Sequence, residues 1–344
     1  MPRPEVIEAM AMASTSFVGL MELNEKVGEY IAQITGAEAG MVSSGAAGGV
    51  VLSMAACMTG KNVGFVRQLP DTTGMKNELA IQKIHRGGYS DMYTFAGAKF
   101  NEAGTVNGCL AEELDLSIND NTAAVAYLFA PGALTNGLTL REVSEIAHAR
   151  GVPVIVDAAA MLPPKSNLRT YIEDGADLVT MSGGKYIRGP QGAGLLFGRK
   201  DLIEAATLNT APNHSIGRPQ KVTKDEMVGL HTALKLFMES DDEAQFAEYR
   251  EILGPIQQKL ESIPGIDLAI KHTAKRYHVP TLVIDLRTNE SGRDPNKILQ
   301  DLVDGEPRVF ITYDANEDAI SVNPINLQPG EGPLLASRLL EVLA

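Results

Sequence analysis

Between residues 60 and about 200, short apolar runs alternate with amphipathic segments, and few folds accept that rhythm. Ala123–Phe129 and Val152–Val156 read as buried strands, and between them Leu140–Arg150 places its apolar residues on one helical face. Leu178–Met181 and Ala193–Phe197 continue as strands, with a short helix over Leu168–Asp174 before them. Strands that alternate with helices require right-handed crossovers and a mainly parallel sheet covered on both faces. The same reading gives strands at Val63–Val66 and Met92–Phe95, and helices at Glu78–His85 and Glu112–Ile118.

Ahead of this region, Pro4–Met12 reads as helix, and Leu20–Thr35 carries Leu20, Leu23, Val27, Ile31 and Ile34 on one face until Gly36 stops it. A strand at Gly40–Val42, a small-residue turn over Ser43–Gly49 and a helix over Val50–Thr59 follow. Lys224–Met238 is a long helix. Beyond residue 250 the texture changes. Helices are expected at Ile256–Ile263 and Pro295–Asp304, and strands at Ile266–Ile270, Thr281–Leu286 and Ala319–Val322. The expectation is an α/β chain: N-terminal helices and a large domain with a mainly parallel sheet over 1–245, then a small α+β domain over 246–344.

Charge and cysteine usage narrow the function. The 344 residues carry a net charge of −13, which repels phosphate backbones and anionic lipid. Apolar runs such as Ala123–Ala130 fall far short of the roughly 20 residues that span a bilayer. No apolar core follows the N-terminal basic residue, so no signal peptide is read. Cys57 and Cys109 form neither a disulfide framework nor a cysteine metal site, and the cytoplasm is the simplest address. Nucleic acid and membrane are not expected partners, and no metal is expected. The six histidines (85, 148, 214, 231, 272 and 278) show no metal-ligand pairing on a helix face. A P-loop ending at Gly184-Lys185 fails twice, because Val179 stands where its first glycine belongs and Tyr186 where a hydroxyl residue belongs.

Three features carry chemistry. Val154-Ile155-Val156-Asp157 delivers one carboxylate to the carboxyl end of a strand, where open α/β sheets bind ligands. A helix N-cap would use the same aspartate. Leu178–Ser182 runs out into Gly183-Gly184-Lys185, delivering a lysine to the same edge, although a solvated loop lysine fits too. Ser43–Gly49 exposes backbone N–H groups at a helix start, a natural phosphate cradle, although the glycines also permit close packing. Together the three supply what pyridoxal 5′-phosphate needs: a lysine for its carbonyl, a carboxylate for its ring nitrogen and a helix start for its phosphate.

These residues carry a resemblance. Thr35-Gly36-Ala37-Glu38-Ala39, Ser44-Gly45-Ala46-Ala47, Gly151–Ala160, Gly175-Ala176-Asp177-Leu178-Val179, Ser182-Gly183-Gly184-Lys185 and Gly189-Pro190-Gln191 resemble the fold-type I, aspartate-aminotransferase-like pyridoxal-phosphate enzymes. Within them the text is most similar to the group related to bacterial selenocysteine synthase (L-seryl-tRNA(Sec) selenium transferase), which includes D-glucosaminate-6-phosphate ammonia-lyase. It covers most of residues 20–240.

The resemblance implies that Lys185 is the Schiff-base lysine and Asp157 the partner of the pyridinium nitrogen. It implies that Ser182 and the turn of Ser44, Gly45, Ala46 and Ala47 hold the phosphate. Arg188 is a candidate for a substrate anion or for a subunit interface, and Lys221 and Lys224 for a reach toward a neighbouring subunit's cofactor. Arg67 and His85 are further candidates, and Arg86, Arg188 and Arg218 are the cations available to a substrate phosphate. The expected function is a lyase that abstracts the α-proton of an amino acid or amino-sugar acid, possessed of a phosphate or not, and eliminates a leaving group. Racemisation, aldol cleavage and cofactor binding without turnover stay open as alternatives. The resemblance also implies a homo-oligomer, a dimer or higher. Selenocysteine synthases carry an extra N-terminal tRNA-binding part with no counterpart here, which with the charge of −13 argues against tRNA.

Overall fold

A computed structural model describes residues 1–129, 136–273, 277–287, 294–314 and 317–344. The chain forms two compact units, Met1–Glu239 and Ser240–Ala344. The expected boundary at 245 falls inside the helix Asp242–Leu260, and the units part just before it.

The first unit is built on a seven-stranded sheet among the described residues. Its strands are β1 (Ala39–Ser44), β2 (Glu78–Gln82), β3 (Lys99–Ala103), β4 (Thr122–Leu128), β5 (Val154–Asp157), β6 (Leu178–Ser182) and β7 (Ala193–Gly198). They lie in the order β1-β7-β6-β5-β4-β2-β3. All neighbours from β6 to β3 pair parallel, and β7 runs antiparallel to both β1 and β6. Both faces are covered. Val125, Tyr127, Val154, Val156, Val179 and Phe197 belong to one buried cluster. Ala124, Ala126 and Ile155 face the other way, with Val50, Val51 and Met54 of the helix Gly45–Thr59. That helix is apolar on nearly every side, which suits an element buried against a sheet.

Local chemistry sets the boundaries. The helix Leu20–Thr35 ends at Gly36, whose φ of +72° only glycine accepts readily, with its N–H on the Ala32 carbonyl. The helix Leu140–Ala149 begins with a reciprocal cap between Thr139 and Glu142.

Three short elements differ from the expectation. Residues Val63–Gln68 form a helix, because the Asn62 side chain accepts the N–H groups of Gly64 and Phe65. Glu78–Gln82 is a strand, held between β3 and β4 by parallel pairing. Ser90–Ala96 is 3₁₀ helix, closed by Gly97 at φ +99°. The strand Lys99–Ala103 and the helices Lys200–Leu208 and Glu331–Leu343 were not read from the sequence.

Among the described residues the second unit carries a four-stranded antiparallel sheet of β8 (Asp267–Thr273), β9 (Tyr277–Asp285), β10 (Thr312–Asp314) and β11 (Ala319–Val322), in the order β10-β11-β9-β8. The helices Asp242–Leu260, Pro295–Asp304 and Glu331–Leu343 bury Leu253, Ile256, Leu302 and Leu339 with Leu282 and Ile284 of β9.

Candidate active site

The carboxyl ends of β1, β5 and β6 meet the start of the helix Gly45–Thr59 at one edge of the large sheet. Asp157 is the last residue of β5 and is register partner of Thr180 on β6. Two residues beyond Thr180, Ser182 pairs with Gly194 of β7, and Gly194 pairs in turn with Ser43 of β1. The ends of β6 and β1 therefore share a row, and Asp157 lies two residues back from it.

The helix start is pressed onto this row. Thr180 Oγ1 donates to the Ala46 carbonyl at 3.1 Å. A Cβ on Gly194 would stand 2.4 Å from the Gly45 carbonyl carbon, and one on Gly49 would stand 2.1 Å from Thr180 Oγ1. Only glycine allows these approaches. Gly45 itself has φ +63°, and a Cβ there would meet nothing within 4 Å, so the turn opens on free space. Ser44 gives the helix no side-chain cap, which leaves its first N–H groups for another acceptor.

Asp157 is buried, and its Oδ1 accepts the Ala159 N–H at 3.0 Å. Burial pushes its carboxyl up from the ordinary value, against the pull of the Ala159 N–H and the Lys185 ammonium. A cation at the sheet edge would restore the charged form. Lys185 follows β6 through the Ser182-Gly183-Gly184 turn and is exposed, with its carbonyl accepting the Arg188 N–H at 3.0 Å. The lysine lies close enough for its charge to act on Asp157.

Other candidates have other surroundings. Arg188 adopts φ +59°, a left-handed conformation unusual for a side chain of this size, and its Nε donates to the Met1 carbonyl at 3.2 Å. Lys224 has its ammonium on the carbonyls of Ser14 and Ser16, at the end of the first helix, and over the Phe17 ring. Lys221 and Arg67 are exposed. Arg86 pairs with Glu102 at 3.1 Å and lies 3.6 Å from the centre of the Phe100 ring. His85 is buried edge-on to Tyr127, and burial lowers its imidazole to about 4.

Three residues at the site escaped the sequence reading: Thr180, Tyr93 and Gln220. Burial raises the Tyr93 phenol well above its ordinary value, and the nearby Asp157 carboxylate adds to the effect. Reading Met92–Phe95 as a strand hid Tyr93, which a 3₁₀ turn places near enough to Asp157 for the carboxylate charge to act on it. A cavity of about 610 Å³ lies elsewhere in this unit, between the helices Leu20–Thr35 and Lys200–Leu208, and none of the candidate residues lines it.

The family of L-seryl-tRNA selenium transferases matches residues 21–263. The chain belongs to that family. A D-glucosaminate-6-phosphate ammonia lyase of Salmonella typhimurium is 30% identical over 98% of this chain and 90% of its own. A 5′-C-glycyluridine monooxygenase-decarboxylase of a Streptomyces species is 29% identical over 98% of this chain and 85% of its own. The solved structure of a D-glucosaminate-6-phosphate ammonia-lyase matches with a TM-score of 0.85 at 29% identity, covering 99% of this chain and 91% of that one. The two units thus have the fold-type I architecture: a large α/β domain with a mainly parallel sheet, and a small α+β domain.

Proposed function

We propose that this member of the selenium transferase family is a pyridoxal 5′-phosphate-dependent lyase that removes the α-proton of an amino acid or amino-sugar acid and eliminates a β-substituent. The observation that carries the reading is the buried carboxylate of Asp157 at the same sheet edge as Lys185 and the open Gly45 turn. The residues present fit the cofactor: Asp157 is a buried carboxylate that accepts the Ala159 N–H and lies within reach of the Lys185 charge, and no side chain caps the helix start.

When bound, the cofactor supplies an electron sink for the pair left by the departing α-proton. Lys185 Nζ would hold the cofactor carbonyl and, once displaced by the substrate amine, take that proton. Asp157 would keep the ring nitrogen protonated by pairing its charge. Ser182 Oγ and the N–H groups of the Ser44–Ala47 turn would hold the phosphate. Likeness to an ammonia lyase along nearly the whole chain supports elimination as the reaction.

The reading includes a cytoplasmic homo-oligomer with a small-molecule substrate. The exposed apolar side chains of Ile7, Met12, Phe17 and Val18 support a subunit interface, and sedimentation tests it. Among the described residues no helix is long and apolar enough to cross a membrane.

A panel of D- and L-amino acids and amino-sugar acids, with and without a phosphate group, tests the reaction. Release of ammonia with a 2-keto acid is the expected result. Loss of optical activity without release would replace elimination by racemisation.

A further inference from the structure

The segment after the helix Lys200–Leu208 returns along the helix Gly45–Thr59, from its end to its start. Asn209 Nδ2 donates to Thr59 Oγ1 at 2.9 Å, near the carboxyl end of that helix. Gly217 packs against its middle, where a Cβ would stand 2.7 Å from Leu52 Cδ2. The Gly217 N–H is held by the Asn209 carbonyl at 2.9 Å, and the Gln220 N–H by the Gly217 carbonyl at 3.0 Å. This tight turn delivers the Gln220 side chain to the amino end. A Cβ on Gly48 would lie 3.4 Å from Gln220 Oε1 and 3.0 Å from Ser44 Cβ.

Gln220 Oε1 is buried there without a hydrogen-bond partner. A buried amide oxygen left unpaired costs free energy. Nothing holds Oε1, so a half-turn about the last side-chain bond brings the Nε2 donors to the same point.

We propose that Gln220 is a phosphate-binding residue of this site, its Nε2 donating to the anion that the Gly45–Ala47 N–H groups receive. The proposal rests on the pyridoxal-phosphate reading and adds a neutral side-chain donor to a cradle otherwise made of backbone and serine. A carboxylate at this position would repel the anion, and an apolar side chain would leave it one donor short.

The test compares two probes on the full-length protein freed of cofactor: pyridoxal 5′-phosphate and pyridoxal, which lacks the phosphate. Binding is followed by absorbance and by equilibrium dialysis. Gln220→Leu should weaken pyridoxal phosphate roughly 10- to 100-fold and change pyridoxal by less than about twofold. Gln220→Glu should weaken pyridoxal phosphate further, again sparing pyridoxal. Equal losses for both probes, or no loss for either, would overturn the role of Gln220. If the wild-type protein bound neither probe, the cofactor reading itself would fall, and this inference with it.

Discussion

Thr180 Oγ1 donates to the Ala46 carbonyl at 3.1 Å, and this bond ties the first turn of a helix to the strand beside Asp157. The turn at Gly45 and the strand next to Asp157 are thereby fixed to each other through a buried hydroxyl. Thr180→Val keeps the shape and removes the bond. It should cost about 1 kcal/mol of stability, measured by urea unfolding. It should also weaken pyridoxal phosphate more than pyridoxal, because the turn loses its tether while the ring site keeps Asp157. Equal effects on both ligands would show that the bond serves stability alone.

Borohydride reduction of the cofactor-loaded protein should fix the cofactor to one lysine. Mass mapping is expected to find the label on Lys185, the exposed lysine after β6. A label on Lys221 or Lys224 would move the reacting centre away from the sheet edge.

Asp157→Asn should separate stability from function. Burial raises the folded-state pKa of this carboxyl. An acid with a raised folded pKa favours folding fully below its unfolded value and loses that contribution as pH rises through the folded one. At neutral pH the charged carboxylate therefore works against the cofactor-free fold. The asparagine variant without cofactor should unfold at higher urea than wild type. Its turnover should fall roughly 100-fold or more, because a neutral amide does not stabilise a protonated ring. Near-normal turnover would reduce Asp157 to a structural cap.

Gly45→Val tests the turn. The φ of +63° makes a β-branched residue strained by about 1–2 kcal/mol, and its side chain would cover the first N–H groups. Pyridoxal phosphate affinity should fall at least tenfold, with a smaller effect of Gly45→Ala. Unchanged affinity in both variants would remove the phosphate from this turn.

His85 sets an acid limit. Burial holds its imidazole at about 4 against an ordinary 6.5. A base with a depressed folded pKa contributes stability that is full above the unfolded value and is lost as pH falls through the folded one. Unfolding free energy should drop by about 3 kcal/mol between pH 6.5 and 4 on account of this residue. His231 and His278 are lowered too, so the difference between wild type and His85→Gln isolates the share of His85. Parallel pH curves for the two proteins would contradict it.

Much of the large unit was legible in the sequence because its central elements are long or strongly patterned. The strands ending in Asp157 and Ser182, the helix Leu20–Thr35 and the small-residue turn at Ser44–Ala47 all follow from local composition and period. Those same patterns bring a carboxylate, a lysine and a small-residue turn to strand ends.

What the tertiary structure decided lies where local period is too short to count. Val63–Gln68, Glu78–Gln82 and Ser90–Ala96 are stretches of five to seven residues of mixed polarity, compatible with helix or strand. An Asn62 cap decided the first, and pairing with β3 and β4 the second. Side-chain partners were equally out of reach. The Lys224 ammonium found carbonyls 208 and 210 residues earlier in the chain, and Gln220 reached Gly48 only because a loop doubles back along a helix. Sequence fixes period, turn chemistry and which residues end a strand, since these depend on near neighbours. Which strands pair and which side chains meet across the chain depends on long-range packing, where the free energy is shared among residues that no local pattern connects.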